Sequence, residues 1–173
     1  MIEPIAYRFA AAGSIPNHPE LPVLVYERGL ELAGDPAAMI ERVFGGNQWP
    51  PQWRDGIYDF HHYHSTAHEV LGIARGRARV VLGGAGGEEL TLFAGDVAVL
   101  PAGTGHKLID STGDFLVVGG YPEGQDWDLI RADDGVPLAE AEARIARVPL
   151  PKCDPVLGPA GPLMALWGVA ARV

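Results

Sequence analysis

GIYDFHHYHSTAHEVLGIARG, residues 56–76, sets His61, His62, His64, His68 and Glu69 within nine positions of a chain that carries six histidines in all. Successive side chains on an extended strand point to opposite faces, so His62 and His64 share one face while His61 and Tyr63 share the other. Two imidazoles therefore converge on one point. His61 and Tyr63 are expected to pack against another layer or subunit. A turn at Ser65-Thr66-Ala67 is expected to bring the chain back antiparallel, with Glu69, Leu71 and Ile73 on a common face and Glu69 opposite the histidine pair.

A second stretch, GDVAVLPAGTGHKLID at residues 95–110, supplies one more imidazole, His106. Val97 and Val99 alternate as in a half-buried strand, Pro101-Ala102-Gly103 makes a turn, and His106 opens the next strand with Leu108 on its face. Three histidines and a carboxylate suit a divalent transition metal such as Fe(II), Mn(II), Ni(II), Co(II) or Zn(II). The absence of thiolates argues against a structural cysteine zinc site or an iron–sulfur cluster. A solvated histidine-rich strand that holds nothing accounts for neither the second stretch nor its glycines and proline at matched intervals. His68 competes with Glu69 for the fourth ligand position. Strand parity favours Glu69 and leaves His68, with Tyr58, as candidate catalytic groups.

The spacing runs Gly56, five residues, His62-x-His64, four residues, Glu69, six residues, Gly76, and later Gly95, five residues, Pro101-x-Gly103, two residues, His106. These positions resemble the two signature motifs of the cupin superfamily. Asp110 stands where the second motif usually carries Asn, a departure that leaves the metal set untouched. The segments SIPNHP (14–19), HHYHSTAHE (61–69) and PAGTGHK (101–107) are similar to the small bacterial cupins of the YjlB-like group. The resemblance implies a mainly β fold, a double-stranded β-helix or jelly-roll barrel with one or two short flanking helices. It also implies a metal held by His62, His64, Glu69 and His106, and association as a homodimer.

At 173 residues the chain is expected to form one domain spanning 1–173. Its parts are an N-terminal arm and helix over 1–55, a metal-binding barrel core over 56–121, and a C-terminal helix and closing strand over 122–173. Its 23 glycines and 15 prolines favour short strands joined by tight turns over a helical bundle. The net charge of −9 repels phosphate backbones, so nucleic acid is an unfavourable partner. Cys153 stands alone, which rules out an internal disulfide and gives a reducing, cytoplasmic location as the expectation. The opening MIEPIAYRF has neither a basic nor an apolar signal region. Gly161–Val173, the most apolar run, is shorter than the roughly 20 residues of a bilayer span and reads as a terminal strand, so no membrane association is expected.

Along the chain, residues 14–22 form a proline-set extended arm in which His18 reads as a solvated loop residue. Val23–Glu27 reads as a strand. Asp35 caps a helix that starts at Pro36, buries Met39, Ile40, Val43 and Phe44, and ends at Gly45-Gly46. Asn47–Asp55 reads as a loop whose Trp49 and Trp53 cover a core edge. Strands follow at 57–64, 69–74, 78–82, 89–93, 96–100, 107–109 and 115–120, then a loop with a short strand, and a second helix over Pro137–Val148. Leu163–Val169 reads as a strand, and Cys153 as an inert structural thiol. By alternation, Tyr58, Phe60, Leu71, Ile73, Val80, Leu108 and Leu116 are the candidate pocket residues. Their apolar character points to a small organic ligand with one chelating polar end. Two functional classes fit: a metal-dependent enzyme of oxygenase or isomerase type, and a non-catalytic module that binds a small molecule or a metal.

Overall fold

The computed structural model describes residues 2–169. Among them are β1 (Ile5–Tyr7), β2 (Val23–Tyr26), α1 (Pro36–Gly46), β3 (Pro51–Asp55), β4 (His62–Tyr63), β5 (Glu69–Arg75), β6 (Arg77–Leu82) and β7 (Glu88–Phe93). These are followed by β8 (Val97–Leu100), β9 (His106–Ser111), β10 (Leu116–Gly120), β11 (Ile130–Arg131), α2 (Leu138–Ile145) and α3 (Pro162–Leu166). The strands form two antiparallel sheets, ordered β1-β2-β8-β5-β10-β3 and β11-β4-β9-β6-β7. This is the expected double-stranded β-helix.

Strand parity explains the layering. On β5, Val70 and Ala74 pack outward with Ile40 and Phe44 of α1, while Leu71 and Ile73 face the barrel interior with Val80, Leu82, Leu92 and Val117. Ile40 and Phe44 are fully buried, each contributing about 1.5–3 kcal/mol of hydrophobic stabilisation. The Asp35 side chain caps α1 by accepting from the Ala38 amide. Met39 and Val43 are only half-buried, at the margin of that stripe.

Several segments depart from expectation. The strand from Ile57 to His64 shrinks to His62–Tyr63, and Gly56, Ile57 and Tyr58 line the cavity described below. The turn at Ser65–Ala67 is not a hairpin. β4 pairs with β9 and β11 in the five-stranded sheet, whereas β5 pairs with β8 and β10 in the other, so the chain crosses between sheets there. The crossing places the histidine face and the Glu69 face on opposite sides of the interior instead of side by side.

Residues 51–55, expected as loop, add an edge strand to the six-stranded sheet, and Pro51 is tolerated because it begins that edge. The expected strand at Leu163–Val169 is the short helix α3 followed by a turn. Pro162 presets the first helical φ, and Leu163 and Trp167, four residues apart, enter the core together. The Trp167 indole N–H donates to the Pro22 carbonyl at 3.0 Å. Buried Asp154 ties this tail down by accepting from the Tyr26 hydroxyl and from the amides of Val156, Leu157 and Leu163. The last part of the apolar run, residues 170–173, lies outside the described residues. Among those described, no helix is long and apolar enough to cross a membrane.

Candidate metal centre

β4 and β9 bring the imidazoles together. His62 sits directly opposite His106 in the ladder, and His64 follows two residues on, on the same face. The Pro101–Gly103 turn that feeds β9 is fixed by Gly103, whose φ is +91° and where a Cβ would meet Ile145 at 2.6 Å and the Asn17 carbonyl at 2.8 Å. Ligand-competent nitrogens of His62, His64 and His106 all lie within 4.8 Å of one another, and all three residues are buried. From the facing sheet, Glu69 Oε2 stands 3.3 Å from His64 Nε2 and 3.2 Å from His106 Nε2.

The tautomers follow from the backbone. His62 Nδ1 lies 2.9 Å from the Phe60 carbonyl, His106 Nδ1 lies 3.0 Å from the Thr104 carbonyl, and His64 Nδ1 meets the Asp128 carbonyl. A carbonyl oxygen only accepts, so each Nδ1 carries a proton, and in the neutral rings each Nε2 turns a lone pair inward. Glu69 Oε1 accepts from the Tyr121 hydroxyl at 3.1 Å, and that hydroxyl accepts from the Trp53 indole N–H at 2.9 Å. Glu69 Oε2 is buried without a hydrogen-bond donor. Four buried acceptors thus converge with no proton among them while the rings are neutral, an arrangement that costs stability unless a metal ion, or a proton taken up on His64, completes it.

Electrostatics match this geometry. Burial and the neighbouring His106 push the His62 pKa down to about 3, so His62 is neutral at physiological pH. Burial works against a charged His64, but the Glu69 carboxylate and the Asp128 carbonyl outweigh it and raise its pKa. Burial opposes ionisation of Glu69 too, yet the two imidazoles facing it hold its carboxyl well below the usual range. Burial and the Glu69 charge push the Tyr121 phenol far up, so it stays a donor.

Above these groups opens a cavity of about 370 Å³, lined by His62, His64, Glu69 and His106 at its base and by Trp53, Ile57, Tyr58, Leu71, Tyr121, Trp127 and Leu129 among its walls. Of the pocket residues expected from alternation, Tyr58 and Leu71 line it. Ile73, Val80 and Leu108 belong to the interior hydrophobic cluster instead, Leu116 packs on the α1 side, and Phe60 stacks behind Tyr58 with ring centroids 4.9 Å apart. Three aromatic wall residues were missed. For Trp53 the sequence puts packing ahead of a place at a pocket mouth, and Trp127 lies in a segment that reads as loop. Tyr121 carried a legible signal: it continues the inward parity of Val117 and Gly119. A Cβ at Gly119 would lie 2.0 Å from the Trp53 ring, so the glycine makes the room that Trp53 occupies.

The remaining candidates lie elsewhere. His68 is fully buried outside the cavity; its Nδ1 accepts from the Ala102 amide at 2.9 Å and its ring packs 4.9 Å from Trp167. Burial and nearby His18 push its pKa down to about 3. His18 is not a solvated residue: it is half-buried, and its Nδ1 accepts from the amides of Glu20 and Leu21. Tyr63 packs in a small cluster with Ile15, Ile130 and Ala141. Asp110 is exposed and paired with Arg79 at 2.7 Å. Cys153 is buried and accepts from Gln48 at 3.2 Å.

No family model matches the chain. It is 38% identical over 163 residues to the uncharacterized protein YjlB of Bacillus subtilis (strain 168), an alignment that covers 93% of this chain and 94% of that protein. Among solved structures it is similar to an uncharacterized conserved protein with a double-stranded β-helix domain from Klebsiella pneumoniae, at 16% identity and a TM-score of 0.38, covering 76% of this chain and 81% of that one. It is also similar to a DUF861 family protein from Thermotoga maritima, at 19% identity and a TM-score of 0.33, covering 53% and 99%. A mutant of the Bacillus subtilis oxalate decarboxylase OxdC is similar at 17% identity and a TM-score of 0.36, covering 72% and 27%.

Proposed function

The chain belongs to the YjlB-like family of cupins, and from that premise we propose that it acts on a small organic molecule through one divalent transition-metal ion held by His62, His64, His106 and Glu69. The observation that carries this reading is the meeting of four buried acceptors, three imidazole Nε2 atoms and one carboxylate oxygen, with each ring's proton committed to a backbone carbonyl. Nitrogen and oxygen donors of this kind suit Fe(II), Mn(II), Ni(II), Co(II) or Zn(II). When bound, the ion supplies Lewis acidity for isomerase-type chemistry or redox capacity for oxygenase-type chemistry. The chain's own groups do the rest. The three carbonyls fix the imidazole planes, Tyr121 orients Glu69, and Trp53 orients Tyr121. Of the two phenols lining the cavity, Tyr58 is the one without a hydrogen-bond partner among the described residues, which makes it the candidate for moving a proton.

The test is metal analysis of protein purified without a polyhistidine tag. One ion per chain is expected, lost in His62→Ala while the far-ultraviolet circular dichroism is kept. A wild-type protein that takes up no stoichiometric ion from any of the five metals overturns the reading. Turnover with and without dioxygen then separates oxygenase from isomerase.

A second reading, binding without turnover, is favoured by one observation: His68 is turned away, so Tyr58, Asp55 and the Trp127 indole are the polar lining groups not engaged at the metal site. It predicts tight metabolite binding by metal-loaded protein with no conversion. We extend the proposal to a homodimer in a reducing compartment; a monomer by light scattering refutes the first part.

A further inference from the structure

The walls above the metal centre differ sharply from its base. Tyr121 and Trp127 stack with centroids 4.2 Å apart and planes 6° from parallel, a flat aromatic panel on one side. Tyr58, which also lines the cavity, stacks on Phe60 and meets His62 edge-on at 5.3 Å. Three lining residues stay exposed despite their size: Tyr58 at 55%, Trp127 at 41% and Leu129 at 43%. Exposed apolar surface gathered around a cavity mouth is unfavourable in water and marks a surface that a ligand covers.

The charge of the lining is equally selective. Among the described residues no lysine or arginine lines the cavity, and its two acidic residues are Glu69 at the base and Asp55 at the mouth. Two arginines on neighbouring strands are occupied elsewhere: Arg54 on β3 pairs with Glu41 at 2.6 Å, and Arg131 on β11 lies over Phe60 and pairs with Asp133. A phosphate or a second carboxylate, once the metal has taken one anionic end, would meet hydrocarbon, an acidic rim and a protein of net charge −9. Such a group binds poorly where nothing compensates its lost hydration. A polyol fares little better, because the wall offers few free hydrogen-bonding groups for its hydroxyls.

We propose, resting on the metal reading above, that the ligand is a flat aromatic or conjugated compound, neutral or singly charged, that gives adjacent oxygen donors to the metal and its ring faces to Trp127 and Tyr58. Trp127 and Tyr58 thereby select the substrate class, against phosphorylated sugars and dicarboxylates. A volume of about 370 Å³ lies near the small end of the roughly 300–1,000 Å³ typical of small-molecule sites, which suits one or two fused rings.

The experiment uses full-length protein loaded with Co(II) and kept anaerobic, so that a chelating ligand changes the visible spectrum and is not oxidised. The probes are 4-nitrocatechol, oxalate and phosphoglycolate, each compared with its affinity for aqueous Co(II). On that scale 4-nitrocatechol is expected to be favoured over both anions. Trp127→Ala should weaken it about tenfold, Trp127→Phe should restore most of the loss, and oxalate should be unaffected by either change. Oxalate or phosphoglycolate favoured over 4-nitrocatechol, or Trp127→Ala leaving nitrocatechol affinity unchanged while Co(II) content is full, overturns the ligand assignment and leaves the metal centre standing. Failure of wild-type protein to take up Co(II) or any of the other four ions sinks both.

Discussion

Removing one oxygen atom from Tyr121 tests the support of the proposed metal site without touching a ligand. Tyr121 is 2% exposed, and its hydroxyl donates to Glu69 Oε1 at 3.1 Å while accepting from Trp53 Nε1 at 2.9 Å. Tyr121→Phe keeps the ring and its stacking on Trp127. It deletes a hydrogen bond to a buried carboxylate, worth about 1.5–3 kcal/mol, and strands the Trp53 N–H at a further cost of about 1 kcal/mol or more. A loss of about 2.5–4 kcal/mol in a chain of this length lowers the melting temperature by about 5–16 °C. Metal affinity should fall about 10–100-fold, because Glu69 is no longer held in its orientation. Calorimetry of the metal-free protein reads the first quantity, and competition with a coloured chelator reads the second. Trp127→Ala is the control, since it removes the stacking and leaves both hydrogen bonds. If Tyr121→Phe folds, melts lower as expected, and yet binds metal as tightly as wild type, the hydroxyl holds up the wall and not the ligand, and the reasoning fails.

Other outcomes follow from the same geometry. In metal-free protein the raised His64 pKa lets a proton bridge His64 Nε2 and Glu69, and a divalent ion has to displace it, so metal affinity should climb with pH and level off once His64 is neutral; a flat affinity profile between about pH 5 and 8 contradicts this. His68 is buried neutral with its pKa depressed to about 3, so its contribution to stability is fully present above the unfolded value and is lost as pH falls from about 6.5 toward 3. His68→Gln should flatten the acid limb of a denaturation-against-pH curve, and an unchanged slope refutes that assignment. Gly119→Ala should destabilise by about 1–3 kcal/mol in urea titrations, because the new methyl lands 2.0 Å from the Trp53 ring; an unaltered midpoint would show that Trp53 can move aside. Asp128→Ala removes the acceptor of the Ser65 amide and hydroxyl, and hydrogen exchange over residues 122–129 should quicken while the His64 bond to the Asp128 carbonyl persists.

The sequence by itself determined the donors of the candidate centre. The spacing of His62, His64, Glu69 and His106, through its resemblance to the cupin motifs, carried the fold and named the candidate ligands, and parity along a strand, a local rule that survives without knowledge of partners, put His62 and His64 on one face. It also carried α1, whose cap, proline and apolar stripe are all short-range signals. What only the tertiary structure decided was everything formed across the interior. Ser65–Ala67 reads equally as a hairpin or as a crossing between sheets, and only the pairing of β4 with β9 and of β5 with β8 distinguishes them. Alternation marked Ile73 and Val80 as inward, correctly, but could not tell a filled interior from an open one. Trp53, Tyr121 and Trp127 come from segments as far as 74 positions apart and meet through one hydroxyl and one stacking contact. Those contacts depend on which strand lies beside which, a property of the closed barrel that no window of the chain contains.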